Sequence, residues 1–494
     1  MGRSIQNLLA DFGHDLPHHT TPPTPETGPG PFTRGASWRG PRRAGAGWAA
    51  ARPPVRQYRM TSDQVGLYWP LATATPTSPT GAPMGVDVLN GTTFYVDPHA
   101  WVIDDRVPVT NPNIFIFGKP GRGKTAWVKA FCNRMFAFGY QALILGDPKD
   151  EYEPLCRHFG VEPFAIGPGM PTRLNPLDPG PLATGWNNLS RPEMNRRSGL
   201  IFGRWLVLLR SLIGSQRIGD HRVPVGPTEE QILKAVLETL AGHADARQLR
   251  PVLLPQVWAA LNNPSQELIN ATKFPDRQRF LDDTRLLRDA IAQLTTGVLA
   301  GIFDAPTSIQ IDWSAPIQSL SLSRLEGLGD QATGMALACL SSWGSAMREG
   351  GGHRINIRDE AWKQLRLGPD AVASFDADLR LSRAHGDIEI AVSHKPSDYH
   401  SAGHAGTQAQ QIAKDLLHLA DIKVLYGQDA DVADDLDHLL DLGPLARGAI
   451  TGWAMHRIGR AIVCVGPTPH KVQLTLHPDL ELPLTQSSQH LHPA

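Results

Sequence analysis

Short apolar runs alternate with stretches of helical periodicity along most of this chain, and that rhythm predicts strands threaded between helices. "NIFIFG", ending at Gly118, has strand length, and "AWVKAFCNRMFAF" after it repeats its apolar positions at helical spacing. "YQALILGD", Tyr140 to Asp147, follows at the distance a parallel strand–helix–strand unit needs. The rhythm resumes later with "SIQIDW", "PIQSLSLSRL", a helix through "QATGMALACLSSWGSAM" and a strand in "RINIRDEAWKQL". A helix over "DAVASFDADLRLSRAHG", the strand "DIEIAVSH", a helix near "TQAQQIAKDLLHLA" and the strand "DIKVLYGQ" complete it. Such alternation predicts an α/β fold with a mostly parallel sheet covered on both faces. The stretch "GAITGWAMHRIGRAIVCVGPTPHKVQLTLHP" reads as antiparallel and is expected to close one edge.

Between these blocks, four segments repeat apolar residues at helical spacing. They are "PEMNRRSGLIFGRWLVLLRSLIG", "PTEEQILKAVLETLAG", "LLPQVWAALNN" and "DRQRFLDDTRLLRDAIAQLTTG". They predict a helical subdomain inserted into the α/β core. The expected layout is a disordered Pro/Gly/Arg-rich tail over 1–57, a β-rich lead-in over 58–110, and a first core part over 111–187. The helical insertion follows over 188–300, the second core part with C-terminal β elements over 301–480, and a flexible end over 481–494. The tail earns its description from composition, being too poor in apolar residues to offset the entropy of ordering.

Composition removes several alternatives. With 494 residues, 41% hydrophobic and 19% charged, the chain has the make-up of a globular protein. A formal net charge of −1 excludes a polycation built to coat nucleic acid, so DNA contact would be local or arise in an assembly. The four cysteines form no CxxC pair, which argues against a disulfide framework or zinc site and for a reducing compartment. The most apolar helix, "GLIFGRWLVLLRSLIG", carries Arg204 and Arg210, which a membrane span would not tolerate cheaply. The expected location is the cytoplasm, with docking on a membrane complex compatible.

Chemistry concentrates at two places. "GKPGRGKT" fits GxxxxGK[ST] and sits between a strand and a helix, the order a phosphate cradle needs. Gly118, Lys119, Pro120, Gly121, Arg122, Gly123, Lys124 and Thr125 would then bind ATP phosphates through backbone N–H groups and a helix N-terminus. Lys124 would reach the β- and γ-phosphates, and the Thr125 hydroxyl would ligate Mg2+. The second place is "DEAW", expected on a strand flanking the P-loop strand. There Asp359 would bind Mg2+ through water and Glu360 would polarise the attacking water. An Asp-Glu pair at a helix start also serves simply to complement the helix dipole.

"GKPGRGKT", "GDPKDEY", "RLNPLDPGP", "GVLAGIFDAPTS", "DEAW" and "SHKPSD" occur in that order. Together they resemble the conjugative-transfer ATPases of type IV secretion, in the FtsK–HerA superfamily, and particularly those of actinobacterial conjugative elements. The resemblance covers roughly residues 57 to 465. It implies a RecA-like P-loop NTPase core hydrolysing ATP with Mg2+, a hexameric homo-oligomer, and attachment to membrane-embedded secretion or conjugation channel proteins. It further implies His394 as a γ-phosphate sensor, and Arg383, with Arg380 as the fallback, as an arginine finger acting on a neighbouring subunit. A strand-end histidine bonded to backbone, or a solvated helix arginine, explains these residues equally well.

Two departures from the family pattern stand out. Asp150 occupies a position where "DPKGEY" has a small residue, and Asn356 and Arg358 replace apolar residues before the acidic pair. A buried Arg358 requires an acidic partner. Three functions are compatible with these features: a motor that energises transfer or channel assembly, a coupling protein that pumps DNA itself, and a nucleotide-gated scaffold.

Overall fold

The computed structural model describes residues 79–485 except 90, 219–220, 243–248, 298, 310–314, 347–351, 368 and 397–414. The expected tail over 1–57, most of the strand "SIQIDW", the start of the helix near "TQAQQIAKDLLHLA" and the end beyond 485 lie outside these residues.

Among the described residues, eleven of the thirteen strands share one sheet. In chain order they are β1 (Ala82–Asp87), β2 (Thr92–Val96), β3 (Ile114–Phe117), β4 (Tyr140–Asp147) and β5 (Phe164–Ala165). A small separate hairpin, β6 (Arg217–Ile218) and β7 (His221–Arg222), comes next. The sheet resumes with β8 (Ile317–Ser321), β9 (His353–Asp359), β10 (Asp387–Ser393), β11 (Ile422–Tyr426), β12 (Arg460–Val465) and β13 (Thr468–Leu474). Their spatial order is β2-β1-β13-β12-β11-β3-β10-β9-β4-β8-β5. From β11 to β5 every pairing is parallel, and from β11 to β2 every pairing is antiparallel. The parallel half is buried on both faces, as apolar runs such as "IFIF" in β3 require.

Four local outcomes differ from the pattern reading. The strand with the acidic pair, β9, does not flank the P-loop strand: β10 lies between β9 and β3. Spacing along the chain reveals that a strand joins the sheet, not which neighbour it takes. The stretch beginning "GAITGW" is helical until residue 456, because Pro444 starts the helix Gly443–Thr451 and a short turn, Trp453–His456, follows. The antiparallel part is only β12 and β13, and it extends the sheet toward β1 and β2 rather than ending it. Finally, "DRQRFLDDTRLLRDAIAQLTTG" splits at Thr284, which leaves the helical region at φ −93° and ψ 7° and caps both pieces.

Helix α1 (Lys124–Met135) follows the P-loop. The insertion contributes α2 (Arg191–Gly214), α3 (Pro227–Ala241), α4 (Leu254–Asn262) and α5 (Arg285–Thr296), and the core resumes with α6 (Asp330–Ala346). Helix α2 runs without interruption through Arg204 and Arg210. Arg204 donates to the Ser342 carbonyl at 2.7 Å, and Arg210 pairs with Glu230 at 3.1 Å. The insertion shares a single apolar cluster with α6 and with Leu143 and Leu145 of β4, which fixes it to one sheet face. Among the described residues no helix is long and apolar enough to cross a membrane.

Candidate active site

The site forms where β3, β10 and β9 end, since parallel strands bring their carboxyl ends to one edge of the sheet. The loop leaving β3 turns on glycines: Gly121 and Gly123 have φ of +73° and +103°, which L side chains rarely adopt. Gly118 is required for another reason. A Cβ there would lie 2.4 Å from the Cβ of Tyr426, so only glycine lets the loop pass β11.

Lys124 is buried at the first turn of α1 and folds back onto the loop. Its ammonium donates to the carbonyls of Gly118 at 2.7 Å and Lys119 at 3.3 Å, and lies 3.3 Å from His394 Nδ1. With Nδ1 accepting from this ammonium, the ring hydrogen of His394 belongs on Nε2, which is 3.3 Å from Glu360 Oε1. A continuous line thus joins the P-loop lysine, His394 and Glu360. The His394 carbonyl also accepts from Gly118 N at 3.2 Å and from Gln428 Nε2 at 2.6 Å, tying β10 to the loops after β3 and β11.

The two acids of "DEAW" are driven in opposite directions. Burial, with the charges of Glu151, Glu360 and Asp147 added, pushes Asp359 up to about 8, opposed by Lys124. Burial also acts upward on Glu360, but hydrogen bonds from His394 and Trp362 and the charge of Lys149 outweigh it and hold the carboxyl below the ordinary range. Trp362 Nε1 donates to Glu360 at 2.5 Å, and Lys149 Nζ lies 3.2 Å from the same carboxylate. Glu360 is therefore held as an aimed acceptor, suited to orienting and polarising a water rather than to strong basicity. Its backbone carries φ of 55°, a strained value for a non-glycine residue.

Lys149 is presented by a loop that Asp147 organises. The Asp147 carboxylate accepts from the backbone N–H groups of Lys149 at 3.3 Å, Glu151 at 3.0 Å and Tyr152 at 2.8 Å. Lys149, Trp362 and Gln428 were missed by sequence reasoning. The available signals were slight: a charge inside "GDPKDEY", an aromatic in "DEAW", and a polar residue closing "DIKVLYGQ" as His394 closes "DIEIAVSH".

The donor set fits a nucleotide polyphosphate with a divalent cation. Burial holds the Lys124 ammonium below its ordinary range, partly offset by Asp359 and Glu360, and an incoming polyanion would supply the counter-charge it lacks. Asp359 sits among acids whose mutual repulsion a cation would relieve. Among the described residues no group of three or more His, Cys, Asp or Glu is placed to hold a metal. A Mg2+ shared with the phosphates would take the Thr125 hydroxyl and, through water, Asp359 from the protein.

Arg383 and Arg380 are not brought to this site. Both are exposed on the helix Pro369–His385, and Arg383 donates to the Thr110 carbonyl at 3.1 Å, before β3 begins. That is the opposite end of the strand from the P-loop. Arg380 pairs with Asp376 at 2.7 Å along its own helix.

No family model matches the chain, and no curated protein sequence matches it. Solved structures do resemble it. VirB4 of Thermoanaerobacter pseudethanolicus matches with a TM-score of 0.62 and 18% identity, over 82% of this chain and 99% of that one. The bacterial conjugative coupling protein TrwBdeltaN70 matches with a TM-score of 0.53 and 13% identity, over 81% and 90%. The plasmid coupling protein TrwB in complex with ADP and Mg2+ matches with a TM-score of 0.52 and 13% identity, over 83% and 93%. At these identities the likeness establishes the fold, an α/β core of the RecA-like P-loop type.

Proposed function

We propose that this chain is an ATP-hydrolysing motor that energises conjugative DNA transfer, or the assembly and transport steps of a type IV secretion channel. The observation that carries the reading is the line from Lys124 through His394 to Glu360, 3.3 Å at each step, across the ends of three parallel strands. Gly118 to Thr125 cradle the ATP phosphates, and Lys124 leaves its loop carbonyls to meet the terminal ones. Thr125 and, through water, Asp359 would hold Mg2+, which would neutralise phosphate charge. Glu360 orients and polarises the attacking water, and His394 senses the γ-phosphate from between the lysine and that carboxylate. The likeness to VirB4, and to a TrwB solved with ADP and Mg2+, supports this choice of fold partner and ligand.

The same reading makes the protein a hexameric homo-oligomer at the cytoplasmic face of a membrane channel, in the manner of actinobacterial conjugative elements. A DNA-pumping coupling protein is the second reading, favoured by the likeness to TrwB. Steady-state ATP hydrolysis by the full chain, with and without DNA, tests both. Hydrolysis indifferent to DNA supports the channel motor, and strong stimulation by DNA supports the pump. Absence of hydrolysis at every protein concentration would overturn both.

A further inference from the structure

The insertion and the helix after the acidic pair line an open cavity of about 200 Å³, whose lining includes no P-loop residue. Its lining includes Arg217 and Arg222 of the β6–β7 hairpin, Asp330 and Gln331 at the start of α6, and Lys363 in helix α7 (Ala361–Leu365) with Arg366 at its end. Four of these six side chains are cations and one is an acid. Arg222 directs its guanidinium to backbone, donating to the Leu367 carbonyl and to the Arg366 carbonyl at 3.1 Å, so it consumes no carboxylate. Burial holds Arg222 below the ordinary arginine range, and the like charge of Arg217 adds to this. Asp330 is divided between two cations, 3.4 Å from Lys363 and 3.7 Å from Arg366, with its own side chain more than half exposed. Among the described lining residues the cations outnumber the acids, and such a concavity raises the local concentration of anions.

The cavity is also wired to Glu360. The Arg366 guanidinium lies 4.3 Å from the centre of the Trp362 ring, and the Trp362 N–H is the one that holds Glu360. An anion that draws Arg366 toward the cavity changes the stack on Trp362, and with it the hydrogen bond to Glu360.

We propose that this cavity is a second anion site, which binds a small phosphate-bearing ligand and acts on Glu360 through Arg366 and Trp362. The charge calls for a dense, multivalent anion that planar guanidinium groups grip well. The size is below that of a pocket for a drug-sized ligand, which suits a phosphate or diphosphate group. The coupling to Glu360 rests on the catalytic reading of that residue, whereas the binding does not.

Inorganic pyrophosphate is the probe, used without magnesium on the full chain carrying Lys124→Ala, so that the P-loop is disabled. Calorimetry should detect a remaining site whose Kd rises at least tenfold when Arg366→Ala or Arg217→Glu is added. Pyrophosphate should alter indole fluorescence in the Lys124→Ala protein and lose that effect when Trp362→Phe is added. Binding that disappears with Lys124→Ala alone, or ignores Arg217→Glu, overturns the site. Fluorescence unaffected by pyrophosphate overturns the link to Glu360. Displacement of pyrophosphate by a single-stranded oligonucleotide would reassign the cavity to a polymer backbone and overturn the small-ligand assignment. None of these readouts depends on hydrolysis, so they separate this proposal from the motor reading.

Discussion

Asp150 and Glu360 both hold φ of 55°, a backbone region that side chains with a Cβ enter only at a cost. At Asp150 the cost is reduced, since Asp tolerates the left-handed region and the Ser321 hydroxyl donates to its carboxylate. Asp150→Gly should therefore keep thermal stability within about 1 kcal/mol, while Asp150→Val should lose about 1–2 kcal/mol. Equal melting temperatures for the two variants would count against a backbone origin. In the site, Lys124→Ala should abolish turnover in a folded protein, since the lysine meets only loop carbonyls, His394 and ligand. Glu360→Gln should stop the chemical step yet keep nucleotide affinity, because Asp359 remains. Loss of affinity as severe as that of Lys124→Ala would show the roles to be misassigned. The P-loop was legible because its parts are contiguous in sequence. Lys149 and Gln428 were not, since each meets its partner only across strands: Lys149 is 211 positions from Glu360.

At the scale of elements, Arg358 shows how a polar residue comes to sit in a buried strand. It is 2% exposed, yet it contacts Asp378 at 2.6 Å, Glu389 at 3.3 Å and the Ser341 hydroxyl at 2.6 Å, and it lies 4.9 Å from the Phe375 ring centre. Asn356 adds a bond to Glu389 at 2.8 Å. The expected acidic partner is thus present twice, and the network fastens β9 to β10, to α6 and to the helix Pro369–His385. Arg358→Leu should lower stability by about 3–5 kcal/mol, since it removes the cation shared by two buried carboxylates. Turnover should fall only where the protein begins to melt. A large loss of turnover with an unchanged melting temperature would give the charge a direct catalytic task. Asp147 sets the loop after β4 and has a pH signature. Burial, opposed by its backbone N–H donors, raises it from 3.8 to about 6. The folded chain therefore keeps a proton through that window that the unfolded chain has lost, and stability falls as pH rises through it, by up to about 3 kcal/mol. Denaturant titrations of wild type and Asp147→Asn at several pH values should show a flatter curve for the variant. Periodicity revealed the strands and the inserted helices. It was silent on strand order, so the position of β10 between the P-loop strand and β9, which puts His394 between Lys124 and Glu360, emerged only from the fold.

At the scale of the whole molecule, the site is open toward whatever lies beyond the carboxyl ends of the strands, and Arg383 points from the other end. The separation is at least the length of β3, about 13 Å for four residues. Arg383 therefore has no route to the P-loop of its own chain without refolding the sheet edge. If it is an arginine finger, it acts on a neighbour, and hydrolysis then depends on assembly. ATP bound between subunits favours the assembled state by mass action, so specific activity should rise with protein concentration and the oligomer should grow when nucleotide is added. Mixing Arg383→Ala subunits with Glu360→Gln subunits tests the geometry directly. Each variant alone should be inactive. In mixed rings some interfaces would join an intact Glu360 to an intact Arg383, and part of the turnover should return. Unchanged turnover in Arg383→Ala alone would place the finger elsewhere, with Arg380 the next to replace. A monomer whose specific activity ignores dilution would remove the ring, and with it the need for any residue in trans.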